Sequence, residues 1–532
     1  MHRVNAIRDT LSGRHLVVTG ATGFVGKVWL AHLLTTVPDV GRVTLLVRGA
    51  RREPALHRVA RMIDTSPAFR PLRDAVPQDL GAWLDARIEV IDADITRPHC
   101  GLDHDTRERL AATADALVHI AGLTDFQPDP RKGLPANVDG TRHAARLAST
   151  FRFPRMVHVS TAFVAGMRDG EITEALIPGV SPLGVPFDVD EEIAHAHALC
   201  AEVAEVDQRI EQLAARAKGL GWPNLYTYSK GLAEHLLAHM PVDVTIVRPT
   251  VVECARTFPF PGWNEGLNTS GPILWFCGTA FRALPANARH RFDVVPVDAI
   301  ARALTVVLAR HLNGVAEPIH HVGTSANNPA TFERIVELSA LAKRRHASRA
   351  SATVWERLEA MVDVVPRTVD ETPYVDPARV EAWGRDLHGW LTRLDVKGRW
   401  TGLGSLGEAI DKRVHTARKD LAKQNRRMGQ LRKMLDAYKP FLHDHDWIFR
   451  SDAIQRANRE LHPDDRADFL DDLSTLDWRH YWLDVQYPGI VKWAFPLMDN
   501  REPPLDPPSH PPLALGVHDL EVRRAERAQG VA

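Results

Sequence analysis

The chain has 532 residues, of which 44% are hydrophobic and 25% charged, with a formal net charge of −1. That length calls for about two to four domains or subdomains, and the balance is ordinary for a folded globular chain, with no overall pull toward nucleic acid. The four cysteines (Cys100, Cys200, Cys254 and Cys277) are scattered without a CxxC pair. This argues against zinc sites and a disulfide framework and fits a reducing, cytoplasmic setting. The N-terminal MHRVNAIRDTLSGRH is too polar for a signal peptide, and no apolar run reaches the length of a membrane span.

The first element is Leu16–Lys27, LVVTGATGFVGK, a short apolar strand, a glycine-rich turn and the start of a helix through Val28, Trp29, Leu30, Leu33 and Leu34. Gly20, Gly23 and Gly26 recur every third residue. Glycine admits a pyrophosphate close to the main chain, and the helix that follows offers it unpaired N–H groups. A glycine triplet alone is weak, but a second strand, Val43–Val47, follows at βαβ distance and supplies the required context. Thr19, Gly20, Thr22, Gly23, Phe24, Val25 and Gly26 are the candidate cradle. A site for NAD usually offers a carboxylate at the end of the second strand. This chain has Arg48, followed by Arg51, Arg52 and Arg58. Arg48 and Arg58 suit the 2′-phosphate of NADP, while Arg51 and Arg52 read as a solvated basic loop.

Ile88–Ile91 is the next strand and leads to Asp94 and Ile95, candidates for holding an adenine, although turn chemistry explains Asp94 equally well. Ala116–Ile120 is a buried strand, and Ala121, Gly122 and Leu123 after it leave room for a cofactor. Asn137 reads chiefly as the residue that opens a helix and ties neighbouring backbone. Met156–Val159 ends in Ser160-Thr161, hydroxyls at the carboxyl end of a parallel strand. In YTYSK, Tyr226 and Lys230 share one helix face. An ammonium so close is expected to lower the tyrosine pKa, and such a tyrosine exchanges a proton with a carbonyl oxygen while a neighbouring hydroxyl orients it. Strand Val244–Val247 precedes Pro249, Thr250 and Val251. His195 and His197 diverge on a helix without a third ligand, so no metal site is expected.

In this order the motifs resemble the extended short-chain dehydrogenase/reductase superfamily. TGATGFVG is similar to its nucleotide motif, Tyr226 and Lys230 to its active-site pair, and Pro249–Val251 to the segment bordering the nicotinamide. The STAFVAG register puts Thr161, rather than Ser160, at its catalytic hydroxyl. The fold implied is α/β, a Rossmann-type doubly wound parallel sheet. Beyond the superfamily, PFPGWNEGLN at Pro259–Asn268 and FDVVPVDAIARAL at Phe292–Leu304 resemble alcohol-forming fatty acyl-CoA reductases. So do the long insert before Tyr226, charged around Asp188–Lys218, and the segments Tyr438–Phe441, Trp447–Asn458, Leu476–Trp478, Tyr481 and Pro488–Ile490. The resemblance implies an NADP-binding reductase domain over 1–345, a helical connecting region over 346–417, a smaller, mainly helical C-terminal domain over 418–500 and a loosely ordered tail over 501–532.

It implies NADPH as cofactor and long-chain fatty acyl-CoA as substrate, reduced through a fatty aldehyde to the primary alcohol in two hydride transfers that release CoA. Wax esters are one destination for such an alcohol. Thr161 and Tyr226 would bond the thioester carbonyl and Lys230 the ribose. No cysteine stands in a motif for an enzyme thioester. The nearest alternative is an aldehyde-forming reductase of acyl-CoA or of a carrier-protein thioester. A sugar epimerase or steroid dehydrogenase would lack the PFPGW segment and the C-terminal region, and a non-catalytic nucleotide sensor commonly lacks the Tyr–Lys pair. The basic run Arg413–Lys433 suits CoA phosphates, an anionic membrane surface or plain solvent, so peripheral membrane contact stays open. Arg349–Val396 carries no usable motif. Pro272–Phe281, the Trp263–Phe281 segment, Trp447, Phe449 and Trp493 are candidates for an acyl passage, with core packing the better expectation for such aromatics. Acyl length and oligomeric state are not legible.

Overall fold

The computed structural model describes residues 6–50, 53–76, 79–267, 270–277, 283–284, 286–348, 437–498 and 500–516, with isolated positions between 367 and 415. Arg51, Arg52, the Arg349–Val396 stretch and the basic run Arg413–Lys433 lie outside these residues, isolated positions apart. Of Pro272–Phe281 only the backbone helix Ser270–Cys277 and the side chains to Leu274 are described.

The strands among the described residues are, in chain order, β1 (His15–Thr19), β2 (Arg42–Val47), β3 (Ile88–Asp92), β4 (Ala116–His119), β5 (Arg155–Val159), β6 (Gly170–Ile172), β7 (Asp243–Pro249), β8 (Val251–Glu253), β9 (Ala283–Leu284), β10 (Val294–Pro296), β11 (Ile319–Val322), β12 (Arg367–Thr368) and β13 (Trp447–Phe449). Seven form one sheet in the order β11-β7-β5-β4-β1-β2-β3, every pairing parallel. The pairs β8–β10, β9–β12 and β6–β13 form separate ladders.

Alternation along the strands sends side chains to two covered faces, as a parallel sheet requires. Leu16, Val18, Leu45 and Val118 pack with the helices Phe24–Thr36 and Val297–Leu312. Their sequence neighbours Val17, Leu46 and Leu117, with Met156, pack on the opposite face against Ala144, Ala145 and Ala148 of the helix Gly140–Ala148. The expected doubly wound sheet is therefore present. From β1 the chain winds outward to β3, then crosses back to β4 on the other side of β1. That reversal opens a crevice at the carboxyl ends of β1 and β4, where ligands bind in such sheets.

The C-terminal residues 437–498 are mainly helical and share the cores of the first part. Leu442, Tyr481, Trp482 and Ile490 join Phe292, Phe332, Ile335 and Leu338 in one cluster, and Ile454, Phe469 and Trp493 enter the main core. Strand β13 pairs in parallel with β6, Trp447 opposite Gly170 and Phe449 opposite Ile172. The expectation of a loosely ordered tail is corrected for residues 501–516. Asp506 pairs with Arg70 and Arg73, the Ser509 and Leu513 N–H groups donate to Asp64, and Gly516 N–H donates to Asp85. These partners lie more than 400 positions away in sequence, beyond any local reading. Among the described residues no helix is long and apolar enough to cross a membrane, and no His/Cys/Asp/Glu group is arranged to hold a metal. His197 instead bonds Asp139 at 3.1 Å.

Candidate active site

The glycine loop joins β1 to the helix Phe24–Thr36, and its three glycines serve different ends. Gly20 takes φ +80°, and a Cβ there would lie 2.4 Å from the Ala121 nitrogen, so the loop runs directly against the end of β4. A Cβ on Gly26 would lie 2.2 Å from the Gly20 carbonyl oxygen, so this glycine lets the helix pack on the loop. Gly23, at φ −86°, is the N-cap, and no side chain caps the helix there. The first-turn N–H groups of Phe24, Val25 and Gly26 are thus left to the cavity these residues line.

At the β2 end, Arg48 is 70% exposed and its Nη1 stands 4.0 Å from Asp94 Oδ2. Arg58 is anchored beside it, donating from Nη1 to the Arg48 carbonyl (2.9 Å) and from Nη2 to Thr22 Oγ1 (3.3 Å). Asp94 serves its own turn, accepting from the Thr96 N–H at 3.0 Å and hydroxyl at 2.8 Å, yet lines the cavity with Ile95. Two guanidiniums and an uncapped helix start suit the phosphates of a dinucleotide.

At the β4 and β5 ends, Asn137 joins two elements. Its Oδ1 accepts from Leu123 N–H (2.7 Å), and its Nδ2 donates to Leu123 O (3.0 Å) and Ser229 Oγ (2.9 Å). The loop after β4 is thereby fixed to the helix Leu225–Leu237, whose start is capped by Asn224 accepting from Thr227 N–H at 2.8 Å. Tyr226 sits in the first turn of this helix, its N–H donating to Phe126 O at 3.3 Å, and part of its ring faces the cavity. Thr161 follows β5, its hydroxyl 3.4 Å from Pro249 O. Burial pushes the Tyr226 phenol up to about 12, against a hydrogen bond with Thr161 that favours ionisation. The expectation that Lys230 lowers this pKa is corrected. Lys230 Nζ donates instead to the Val159 carbonyl at 2.8 Å, and burial pulls the lysine itself down to about 8. Ser160 Oγ is buried without a partner beside the same cavity.

Pro249, Thr250 and Val251 form the far wall. Thr250 Oγ1 donates to Asp293 Oδ1 at 2.9 Å, and Asp293 also accepts from Thr324 and Ser325. The structure thus brings the cofactor and catalytic candidates (the glycine loop, Arg48, Arg58, Asp94, Ile95, Ala121–Leu123, Thr161, Tyr226, Lys230 and Pro249–Val251) to one cavity of about 1560 Å³. A pocket for one small ligand measures about 300–1,000 Å³, so this volume accommodates a second molecule beside a dinucleotide.

The second half of the cavity was largely unread. Phe126, from the loop after β4, stacks on Tyr226 (6.2 Å between centroids) and stands 5.1 Å from Tyr438 and 5.2 Å from Phe441. Phe163 meets Phe441, Trp447 and Phe449 edge-on at 5.1–5.4 Å. All seven of these rings line the cavity. Trp447 and Phe449 were acyl-passage candidates; Phe126 and Phe163 carry no local signal. Trp493 and Trp263 are placed elsewhere, packing near Phe260 and against Phe24. Among the described residues no cysteine lines the cavity, and burial pushes the Cys100 thiol up to about 12.

A family profile described as male sterility protein, an NAD-binding domain, matches residues 18–304. The alcohol-forming fatty acyl-CoA reductase of Simmondsia chinensis is 26% identical over 92% of this chain and 99% of its own length. Probable fatty acyl-CoA reductase 5 of Arabidopsis thaliana is 30% identical over 62% of this chain and 70% of its own. Fatty acyl-CoA reductase 2 of Homo sapiens is 24% identical over 90% and 84%. In backbone the chain is similar to the reductase domain of a non-ribosomal peptide synthetase from Mycobacterium tuberculosis, with TM-score 0.49 and 18% identity over 93% of this chain and 95% of that one, too loose a likeness to bear on activity. With its NAD(P)-binding cradle and Thr–Tyr–Lys constellation on a doubly wound sheet, the chain belongs to the male sterility, or fatty acyl-CoA reductase, family of extended short-chain dehydrogenases/reductases.

Proposed function

We propose that the protein is an NADPH-dependent reductase of long-chain fatty acyl-CoA, carrying the acyl group through the aldehyde to the primary alcohol with release of CoA. The observation that supports this reading is the single cavity with a phosphate cradle at one end, an aromatic chamber at the other, and the Thr161 and Tyr226 hydroxyls where the two meet. The relatives' names point the same way.

The cradle and the Arg48–Arg58 pair would hold NADPH through its pyrophosphate and 2′-phosphate. When bound, the reduced nicotinamide supplies hydride. Tyr226 keeps its proton at neutral pH because burial raises its pKa, so it acts as a donor. Its phenol stabilises the negative charge that develops on the carbonyl oxygen and passes a proton to it, with the Thr161 hydroxyl orienting that oxygen. The product of a thioester reduced in this way is a hemithioacetal, which collapses to aldehyde and free thiol. The same two donors then serve the aldehyde carbonyl. The aromatic chamber keeps the alkyl chain and the reacting carbonyl away from water. Among the described residues no cysteine lines the site, and this route needs no enzyme thioester.

Tyr226→Phe tests the reading. The variant should bind NADPH within about threefold of the parent and lose acyl-CoA-dependent NADPH oxidation by about 10²–10⁴-fold. Unaltered turnover would remove Tyr226 from the chemistry. A parent protein that binds NADPH yet oxidises none of it with any acyl-CoA would overturn the proposal in favour of a sensor.

A further inference from the structure

Three polar side chains lie in one row across the centre of the sheet, where an apolar stripe is the rule. Thr19 of β1 is in register with His119 of β4, and His119 with His158 of β5. All three are fully buried. Buried polar groups are expensive unless hydrogen-bonded, so a row of this kind needs a reason.

Donor counting assigns the protons for the first two members. Thr141 Oγ1 donates to Asn137 O at 2.7 Å, so it can only accept from His119 Nε2, 3.2 Å away. His119 Nδ1 then accepts from the Thr19 hydroxyl at 2.7 Å. His119 is neutral and fully satisfied, and its ring stacks on that of His158 at 5.3 Å and 19°. His158 differs. Its Nε2 stands 3.3 Å from Lys230 Nζ, and its Nδ1 has no partner. Burial, then the Lys230 charge, then His119 keep His158 neutral at physiological pH.

An ammonium has three N–H donors in a fixed tripod. Lys230 directs one to Val159 O at 2.8 Å and one to His158 Nε2. The third is left for the cavity that Lys230 lines, on the side of Gly122, where a Cβ would stand 4.0 Å from Nζ. We propose that His158 is a positioning residue for Lys230: with the Val159 carbonyl it fixes two legs of the tripod, and so aims the third at the nucleotide end of the site. The His119 ring, held by Thr19 and Thr141, backs His158 and keeps its Nε2 in place. The orphaned Nδ1 is the accepted cost of presenting Nε2 as an acceptor in an apolar setting. A histidine kept only for packing would have a bonded or solvent-facing nitrogen here, as His119 has.

The acceptor also favours the charged lysine, which burial disfavours. The charged and titratable groups facing Lys230 are His158, His119 beyond it, Tyr226 one turn before it on its own helix, and Glu234 one turn after it, which Arg248 pairs. Loss of the acceptor therefore lowers the pH at which Lys230 loses its proton.

This inference rests on the proposal that Lys230 faces a bound nucleotide, but its test reads cofactor binding and needs no acyl substrate. NADPH affinity is measured by fluorescence across pH 6 to 10 for the parent, His158→Phe, His158→Asn and His158→Gln. Phenylalanine removes the acceptor and asparagine is too short to reach Nζ. Both should weaken binding by about tenfold and move its alkaline fall to lower pH by about one unit. Glutamine places an amide oxygen where Nε2 stands and should stay within about threefold of the parent. An alkaline fall at the parental pH in His158→Asn, or in a folded His158→Phe, would overturn the inference. If His158→Phe does not fold, the contrast between asparagine and glutamine decides alone. A parent that binds NADPH with this pH dependence but reduces no acyl-CoA would defeat the proposed function and leave the role of His158 standing.

Discussion

The two halves of the cavity are built by opposite strategies. The nucleotide half is made almost wholly of side chains at the ends of β1, β2, β4 and β5, from residues close in sequence to the glycine loop or the strand ends. Its geometry follows from the sheet, because strand ends in a parallel sheet converge on one edge. The aromatic half is assembled from the loop after β4, the turn after β5 and a C-terminal segment almost 300 residues further on. It exists only because β13 adds to β6 and the C-terminal helices share two hydrophobic cores with the first part.

If that division is right, damage to either half should stay in that half. The largest expected effect is on the nucleotide side. Arg48→Ala removes a guanidinium from the proposed 2′-phosphate position, and a charge-assisted hydrogen bond is worth about 1.5–3 kcal/mol. KM for NADPH should rise by about 10- to 100-fold while KM for NADH and for acyl-CoA hold steady, in initial-rate assays. On the aromatic side, Phe441→Ala should raise KM for a sixteen-carbon acyl-CoA by about tenfold, as loss of a buried aromatic wall implies, and leave NADPH affinity unchanged by fluorescence titration. A rise in both constants would show that the halves are coupled.

The smallest effect concerns the seam between the two parts. Glu253 is fully buried, accepting from Ser270 N–H at 2.7 Å and Gln486 Nε2 at 2.8 Å, and burial pushes its carboxyl up to about 7. The folded value exceeds the unfolded value of 4.5, so the native state holds the extra proton between these limits. Its stabilising share is complete below pH 4.5 and is lost as pH rises through about 7. Glu253→Gln removes the charge and keeps one acceptor oxygen, with its NH2 set against the other donor. Relative to the parent, its stability should shift in the variant's favour by up to about 3 kcal/mol between pH 4.5 and pH 8, read from denaturant midpoints at both pH values.

The same division explains what was legible in advance. Gly20, Arg48, Thr161 and Tyr226 were readable because each stands in a local strand-to-loop context whose chemistry is set within a few residues. Strand β11, IHHV, was not, because two histidines interrupt its apolar pattern. Other segments meet them: His321 Nδ1 bonds Arg450 O at 2.8 Å, and His320 Nδ1 lies 3.4 Å from Thr245 Oγ1 of β7. Phe126 and Phe163 were invisible for the converse reason. A lone phenylalanine in a loop reads as packing until a distant segment brings other rings to it. The direction of the Tyr226 pKa was misjudged because i, i+4 spacing reports proximity on a helix but not the burial of the phenol, which decides the direction.

The most direct measurement of the central claim is stoichiometry. Purified protein, a long-chain acyl-CoA and NADPH are incubated to completion, and oxidised cofactor, free thiol and extracted lipid are quantified together. The account predicts two NADPH consumed for each thiol released, with fatty alcohol as product. One NADPH per thiol with accumulating aldehyde would contradict the second reduction, and no thiol release despite bound NADPH would contradict acyl-CoA as the substrate.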